Sequence, residues 1–172
     1  KEYERVLPGI SFRFGCGRNN MLSNFLAMND ITANSMSLSA TVDSVSGINI
    51  RGGVYGIKSG DINLDTLRLV TRQEGDKVRY FARVRSTAIN PDNEKESYNA
   101  ALFGSLADDT LATNFVFRDR KERIGVSLST NTRIMPGRLN IHFKPDAKLF
   151  GERFTFSRDN YINVGKGFSV EA

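Results

Sequence analysis

The sequence is poor in the residues from which catalytic and metal centres are built. It has one cysteine, Cys16, so it can form no internal disulfide and no thiolate metal cluster. Its one histidine, His142, sits between Ile141 and Phe143 and reads as a strand residue on the face opposite those two. A serine-hydrolase triad would have to use His142, and no G-x-S-x-G elbow supplies the nucleophile. Carboxylate pairs such as Asp108-Asp109, or Glu94 with Glu96, lie in polar clusters and read as turn chemistry. Tryptophan is absent, and no stretch approaches the roughly 18 to 20 apolar residues a membrane-spanning helix needs. The expectation is a protein that is not an enzyme and carries no cofactor and no metal.

Charge narrows the choice less. Lysine and arginine number 24 against 19 acidic residues, a net charge of +5. The basic residues are dispersed, as at Arg79, Arg83, Arg85, Arg118, Arg123, Arg133 and Arg138, and no block of like charge occurs. They read as a solvated sheet face. Twelve Phe and five Tyr could stack on bases. However, Phe12-Arg13, Phe117-Arg118 and Phe143-Lys144 are chain neighbours, so each pair points to opposite faces of a strand. That argues against a nucleic-acid platform. The glycines between Gly47 and Gly56 precede no helix and no GK[ST], so they read as bends rather than a phosphate loop.

What is abundant is period-two alternation. From Ser97 to Phe143 four runs follow one another: Tyr98, Ala100, Leu102, Gly104, Leu106; then Leu111, Thr113, Phe115, Phe117; then Ile124, Val126, Leu128, Thr130; then Leu139, Ile141, Phe143. Asp108-Asp109, Arg118 to Lys121 and Pro136-Gly137 break them. Short polar connections between alternating runs predict an antiparallel meander with one apolar face.

The rest of the chain follows suit. Strands are expected at Gly9 to Phe14, Ile31 to Val45, Ile48 to Lys58, Ile62 to Thr71 and Val78 to Ile89. Leu67 and Leu69 fall out of phase with Ile62 and Leu64, which predicts a bulge near Asp65-Thr66. Phe81 and Phe103 also fall out of phase with their neighbours, toward the second face. Asn90 to Asn93 should close a strand, since Pro91 cannot continue a ladder. Pro145 to Phe150 reads as a helical turn, followed by short strands at Arg153 to Ser157 and Tyr161 to Val170. One helix is expected within Asn19 to Met28, capped by Asn19 or Asn20. Its stripe of Met21, Leu22, Phe25 and Leu26 should dock on the sheet as a plug. The fold class is mainly β: an antiparallel meander curled into a β-taco, half-pipe or open sandwich, with one short helix near the N-terminus. About ten strands and no linker predict a single domain, 1–172.

Certain stretches carry a family resemblance. They are Asn63-Leu64-Asp65-Thr66-Leu67, Arg72 to Tyr80, Asn90-Pro91, Leu102 to Leu106, Phe117-Arg118-Asp119, Arg123-Ile124-Gly125, Phe143-Lys144-Pro145 and Phe154 to Ile162. In these the chain resembles TamB-like proteins of the Bacteroidetes type, the translocation and assembly module subunits of the AsmA-like superfamily. The resemblance implies a segment of a much longer periplasmic envelope protein, anchored in the inner membrane by a helix this chain lacks. It implies a β-taco with an apolar interior, acting in phospholipid transport to the outer membrane or in outer-membrane protein assembly. The implied partners are phospholipid acyl chains and, through the full-length protein, a TamA-like outer-membrane barrel; nucleic acid is not among them. No catalytic residue is implied. The early helix and the short chain depart from a plain taco repeat.

On that reading the trough is lined by Tyr98, Ala100, Leu102, Ile124, Val126, Leu128, Leu139, Ile141 and Phe143. The alternatives are a closed β-sandwich binding protein or glycan through loops such as Asn90 to Lys95 or Asp119 to Glu122, and a small outer-membrane barrel. The barrel would have to hide Arg123, Arg133, Arg138 and Arg153 in its lumen. Each lining residue could equally belong to an ordinary closed core.

Overall fold

The computed structural model describes residues 9–44, 47–60, 62–89, 95–119, 121–165 and 168–171. The chain is mainly β with one helix, and its antiparallel sheet is open, not closed into a barrel. It divides into two units, Lys1–Ser86 and Thr87–Ala172.

The first unit holds β1 (Ile10–Cys16), α1 (Met21–Ala27), β2 (Ile31–Thr32), β3 (Ser35–Asp43), β4 (Gly47–Ser59), β5 (Ile62–Glu74) and β6 (Lys77–Ile89). The ladder runs β1-β3-β4-β5-β6, with β2 paired to the end of β4. Register fixes two faces. Phe12, Ala40, Ile50 and Thr71 lie in one cross-strand row, and Phe14, Leu38, Gly52, Leu69 and Ala82 in the next. The alternation read from the sequence puts these on a common side, and Arg13, Ser39, Arg51, Val70 and Phe81 on the other.

The expected bulge at Asp65-Thr66 is not on β5, which runs unbroken. The irregularity sits on the facing strand at Gly56, which counts opposite Asp65 and has φ +62°. A Cβ at Gly56 would run into the Asn34 side chain, so only glycine fits there. Asn34 is held in turn by its N–H to the Tyr55 carbonyl at 2.8 Å and by Arg18 Nε donating to its Oδ1 at 3.0 Å.

The helix corrects another expectation. Asn20 caps it in a capping box with Ser23, so the chain end is satisfied locally. None of its residues is buried: Met21 is 90 % exposed, and Phe25 and Met28 also face solvent. It does not plug the sheet. Its flank of Ser23, Asn24 and Ala27 turns instead toward Thr32, Ala33 and Asn34, across a cleft of about 330 Å³.

The second unit holds β7 (Lys95–Ala107), β8 (Thr110–Arg118), β9 (Ile124–Met135), β10 (Arg138–Phe143), β11 (Asp146–Leu149), β12 (Glu152–Thr155), β13 (Tyr161–Val164) and β14 (Phe168–Glu171). Its ladder runs β7-β8-β9-β10-β13-β14. Asp108 and Asp109 both take positive φ, 46° and 59°, giving the left-handed two-residue loop that matches strand twist. The turn expected at Asn90 to Asn93 lies outside the described residues.

Pro145 to Phe150 is not a helical turn. The segment forms β11, which pairs with the first half of β9, while β10 pairs with the second half. Lys144 N–H donates to the Ser129 carbonyl at 2.8 Å and Gly151 N–H to the Gly125 carbonyl at 3.0 Å, so β9 prefers two short neighbours to one long one. β10 reaches only Thr130 to Met135, so the Ser129 and Gly125 carbonyls take their donors from this segment instead.

The sheet divides at Phe143. The β10–β13 ladder ends at Ile141 opposite Ile162, and two positions on, by count, Phe143 faces Asn160. There the Asn160 side chain replaces the main chain. Its Oδ1 accepts from the Phe143 N–H and its Nδ2 donates to the Phe143 carbonyl, both at 2.9 Å; Nδ2 also donates to the Ser157 carbonyl. Asn160 is only 4 % exposed. Replacing it with alanine strands two half-buried main-chain groups, so Asn160→Ala should lower stability by about 2 kcal/mol. Chemical denaturation measures this; a loss near zero would contradict the assigned role.

Candidate functional site

The nine apolar residues proposed from alternation lie on β7, β9 and β10, with β8 between the first two. Register places Ala100 beside Phe117 and Val126, and Leu102 beside Phe115 and Leu128. Farther along, Leu106, Leu111, Thr132, Ile141 and Ile162 form one row, and Ile134, Leu139 and Val164 another. Tyr98 stacks on Phe117, ring centres 6.3 Å apart. Phe143 stacks on Phe156 at 5.0 Å.

Ile124 stands apart. A bulge between Phe117 and Arg118 sets it opposite Arg118 rather than beside an apolar partner. The face is also not uniformly apolar. Thr113, Thr130 and Thr132 form a hydroxyl band between Val126-Leu128 and Leu139-Ile141. Sequence reasoning left β8 out of the lining, although Phe115 and Phe117 alternate in the same phase. It also left out Phe156, which no alternation with a sheet neighbour announces. In the first unit the adjacent rows of Phe12-Ala40-Ile50 and Phe14-Leu38-Leu69 build a second apolar face of the same kind.

These faces are poorly covered. Leu102 is 40 % exposed and Leu139 37 %, while Tyr98, Ala100, Ile124, Val126, Leu128, Ile141 and Phe143 are half-buried. In the first unit Phe12 is 51 % exposed and Leu69 42 %. Among the described residues no side chain is fully buried, and the buried apolar residues are Ala33 and Ala147. Among the described residues, then, the alternating residues form no closed core.

The polar side offers little chemistry. His142 faces away from Ile141 and Phe143, as expected, with Nε2 bonded to the Arg158 carbonyl at 2.7 Å. Among the described residues no three His, Cys, Asp or Glu side chains come together as metal ligands. In the β8–β9 loop the Asp119 carboxyl is held below the usual carboxylate range, chiefly by hydrogen bonds from the Arg123 guanidinium at 2.8 and 3.0 Å. Burial opposes this, and the N–H groups of Arg123 and Lys121, both at 2.9 Å, add to it. That carboxylate is spent closing its own turn. The loop from Asn90 to Lys95 falls mostly outside the described residues.

Comparison with protein-family models, curated proteins and solved structures found no match to this chain.

An open face makes a measurable forecast. Truncating a leucine in a closed core costs about 2 to 5 kcal/mol. Leu128 is only half-buried, so Leu128→Ala should cost about 1 kcal/mol by chemical denaturation. A cost within the closed-core range would mean that another layer covers the face.

Proposed function

We propose that the chain is a non-enzymatic segment of a TamB-like envelope protein whose apolar face holds phospholipid acyl chains. One observation carries the reading: apolar rows span the strands of each unit, yet their residues stay a third or more exposed or only half-buried. Folding concentrates apolar surface on one side of a sheet and leaves it uncovered, which marks an interaction surface. Strands whose main-chain groups are paired in the ladder present only side chains to that surface, and acyl chains need no hydrogen bonds. The threonine band gives such a trough a mildly polar waist.

The resemblance supplies the setting. It supports a periplasmic location, an inner-membrane anchor elsewhere in the full-length protein, and work in phospholipid transport or outer-membrane protein assembly with a TamA-like barrel. A closed β-sandwich fits less well, because the described residues bury no core.

The test is to purify the chain without detergent and determine bound lipid by native mass spectrometry and extraction. Phospholipid should co-purify with the native protein and with Ser127→Asp, which alters the opposite face. It should be lost from Val126→Asp with the far-UV circular dichroism unchanged. A lipid-free native protein, or equal lipid in both variants, would refute the proposal.

A further inference from the structure

The polar face of the first unit holds a feature that dispersed basic residues do not announce. Register gathers Arg13, Arg51, Arg68, Arg72, Arg79, Arg83 and Arg85 on that one side. Two pairs, Arg68 with Arg83 and Arg72 with Arg79, are direct cross-strand neighbours, an arrangement of like charge that costs stability. Arg79 is relieved by Glu74 at 2.8 Å. Toward β1 the situation differs. The rows Arg13, Ser39, Arg51, Val70 and Gly15, Ser37, Gly53, Arg68 contain no carboxylate.

Within those rows lies a basin of about 570 Å³. Arg13, Arg51 and Arg68 stand around it with Ser37, Ser39 and Tyr55. All three arginines are exposed. The floor is largely main chain, because Phe14, Leu38, Gly52 and Leu69, which also border it, belong to the apolar rows of the other face. Gly53 shapes the wall: a Cβ there would lie 3.2 Å from the Tyr55 ring, so its absence lets the ring lie back over the strand. Ser39 Oγ donates only a long bond, 3.5 Å, to the Arg51 carbonyl, and remains able to turn. Arg13 and Arg51 stand two strand spacings apart, roughly 10 Å at the backbone, so two guanidinium groups can converge on one anion between them.

We infer that this basin binds a phosphate group carried on a small polar body. Guanidinium forks bond phosphate oxygens two at a time, and serine and tyrosine hydroxyls complete a tetrahedral oxyanion's shell. A basin a few hundred cubic ångströms in size takes a headgroup or a phosphorylated sugar rather than a polymer. The site lies on the face opposite the apolar rows and does not depend on the acyl-chain reading.

The test begins with inorganic phosphate titrated into isotope-labelled protein and followed by amide NMR. Saturable shifts should centre on Ser37, Ser39 and Gly53 and leave the Arg72–Arg79 end unmoved. Arg51→Gln combined with Arg68→Gln should weaken phosphate at least about tenfold, since charge-assisted bonds are the strong ones. Arg72→Gln should bind as the native protein does. Arg51→Lys, which keeps the charge without the fork, should fall between. Co-sedimentation with phosphatidylcholine vesicles, with and without phosphatidic acid, then names the source. Basin-dependent binding to the acidic vesicles assigns a lipid headgroup; phosphate binding without vesicle binding assigns a free phosphate compound. Shifts spread evenly over all arginine rows, no saturable shift, or native affinity in the double variant would overturn the site.

Discussion

Main-chain hydrogen bonding between antiparallel neighbours is the interaction on which the rest of the structure depends, because side-chain burial is spread thin. A sheet ordinarily shelters one face under another layer, and that burial supplies most of its stability. Here the described residues contain no fully buried side chain, so each strand is held by the ladder and by half-covered cross-strand rows such as Leu102-Phe115-Leu128. Such rows contribute about half of what full burial would. The consequence is functional as well as energetic, since the apolar surface left over is available to bind.

The same constraint explains the irregular places. Where strand pairing would stop, a side chain or a neighbouring segment takes over the main-chain bonds. Asn160 stands in for a strand residue opposite Phe143, and β11 takes up the half of β9 that β10 leaves. Gly56, at φ +62°, interrupts the β4–β5 pairing opposite Asp65, and the register resumes unshifted, with Ile57 opposite Leu64 as Val54 is opposite Leu67. At Asp108-Asp109 two residues accept left-handed geometry to reverse the chain in the fewest steps. These are ways of keeping a ladder whole.

Much of this was legible in the sequence. Alternation identified the main strands and which residues share a face, from Val78, Tyr80, Ala82 and Val84 through Leu139, Ile141 and Phe143. It also sent Phe81 and Phe103 to the polar side. Asn20, one of the two caps the sequence offered, begins α1. Pairing between distant segments was not legible. A four-residue strand such as β11, after a proline, carries too few alternations to distinguish it from a turn. The exposure of Met21 and Phe25 defied the amphipathic stripe because capping bonds, not burial, secure that short helix. The arginine basin was hidden because Arg13, Arg51 and Arg68 are far apart in the chain and meet only through register.

The central claim is that the apolar side, and not the other, meets acyl chains. Adjacent residues of β9 allow a direct comparison, since Val126 and Ser127 point to opposite faces. With Cys16 replaced by serine, a fluorophore placed through Val126→Cys or Ser127→Cys can be exposed to phospholipid carrying a quencher midway along its acyl chain. Strong quenching at position 126 with little at 127 is the predicted result. Equal quenching at both, or none at either, would contradict the account.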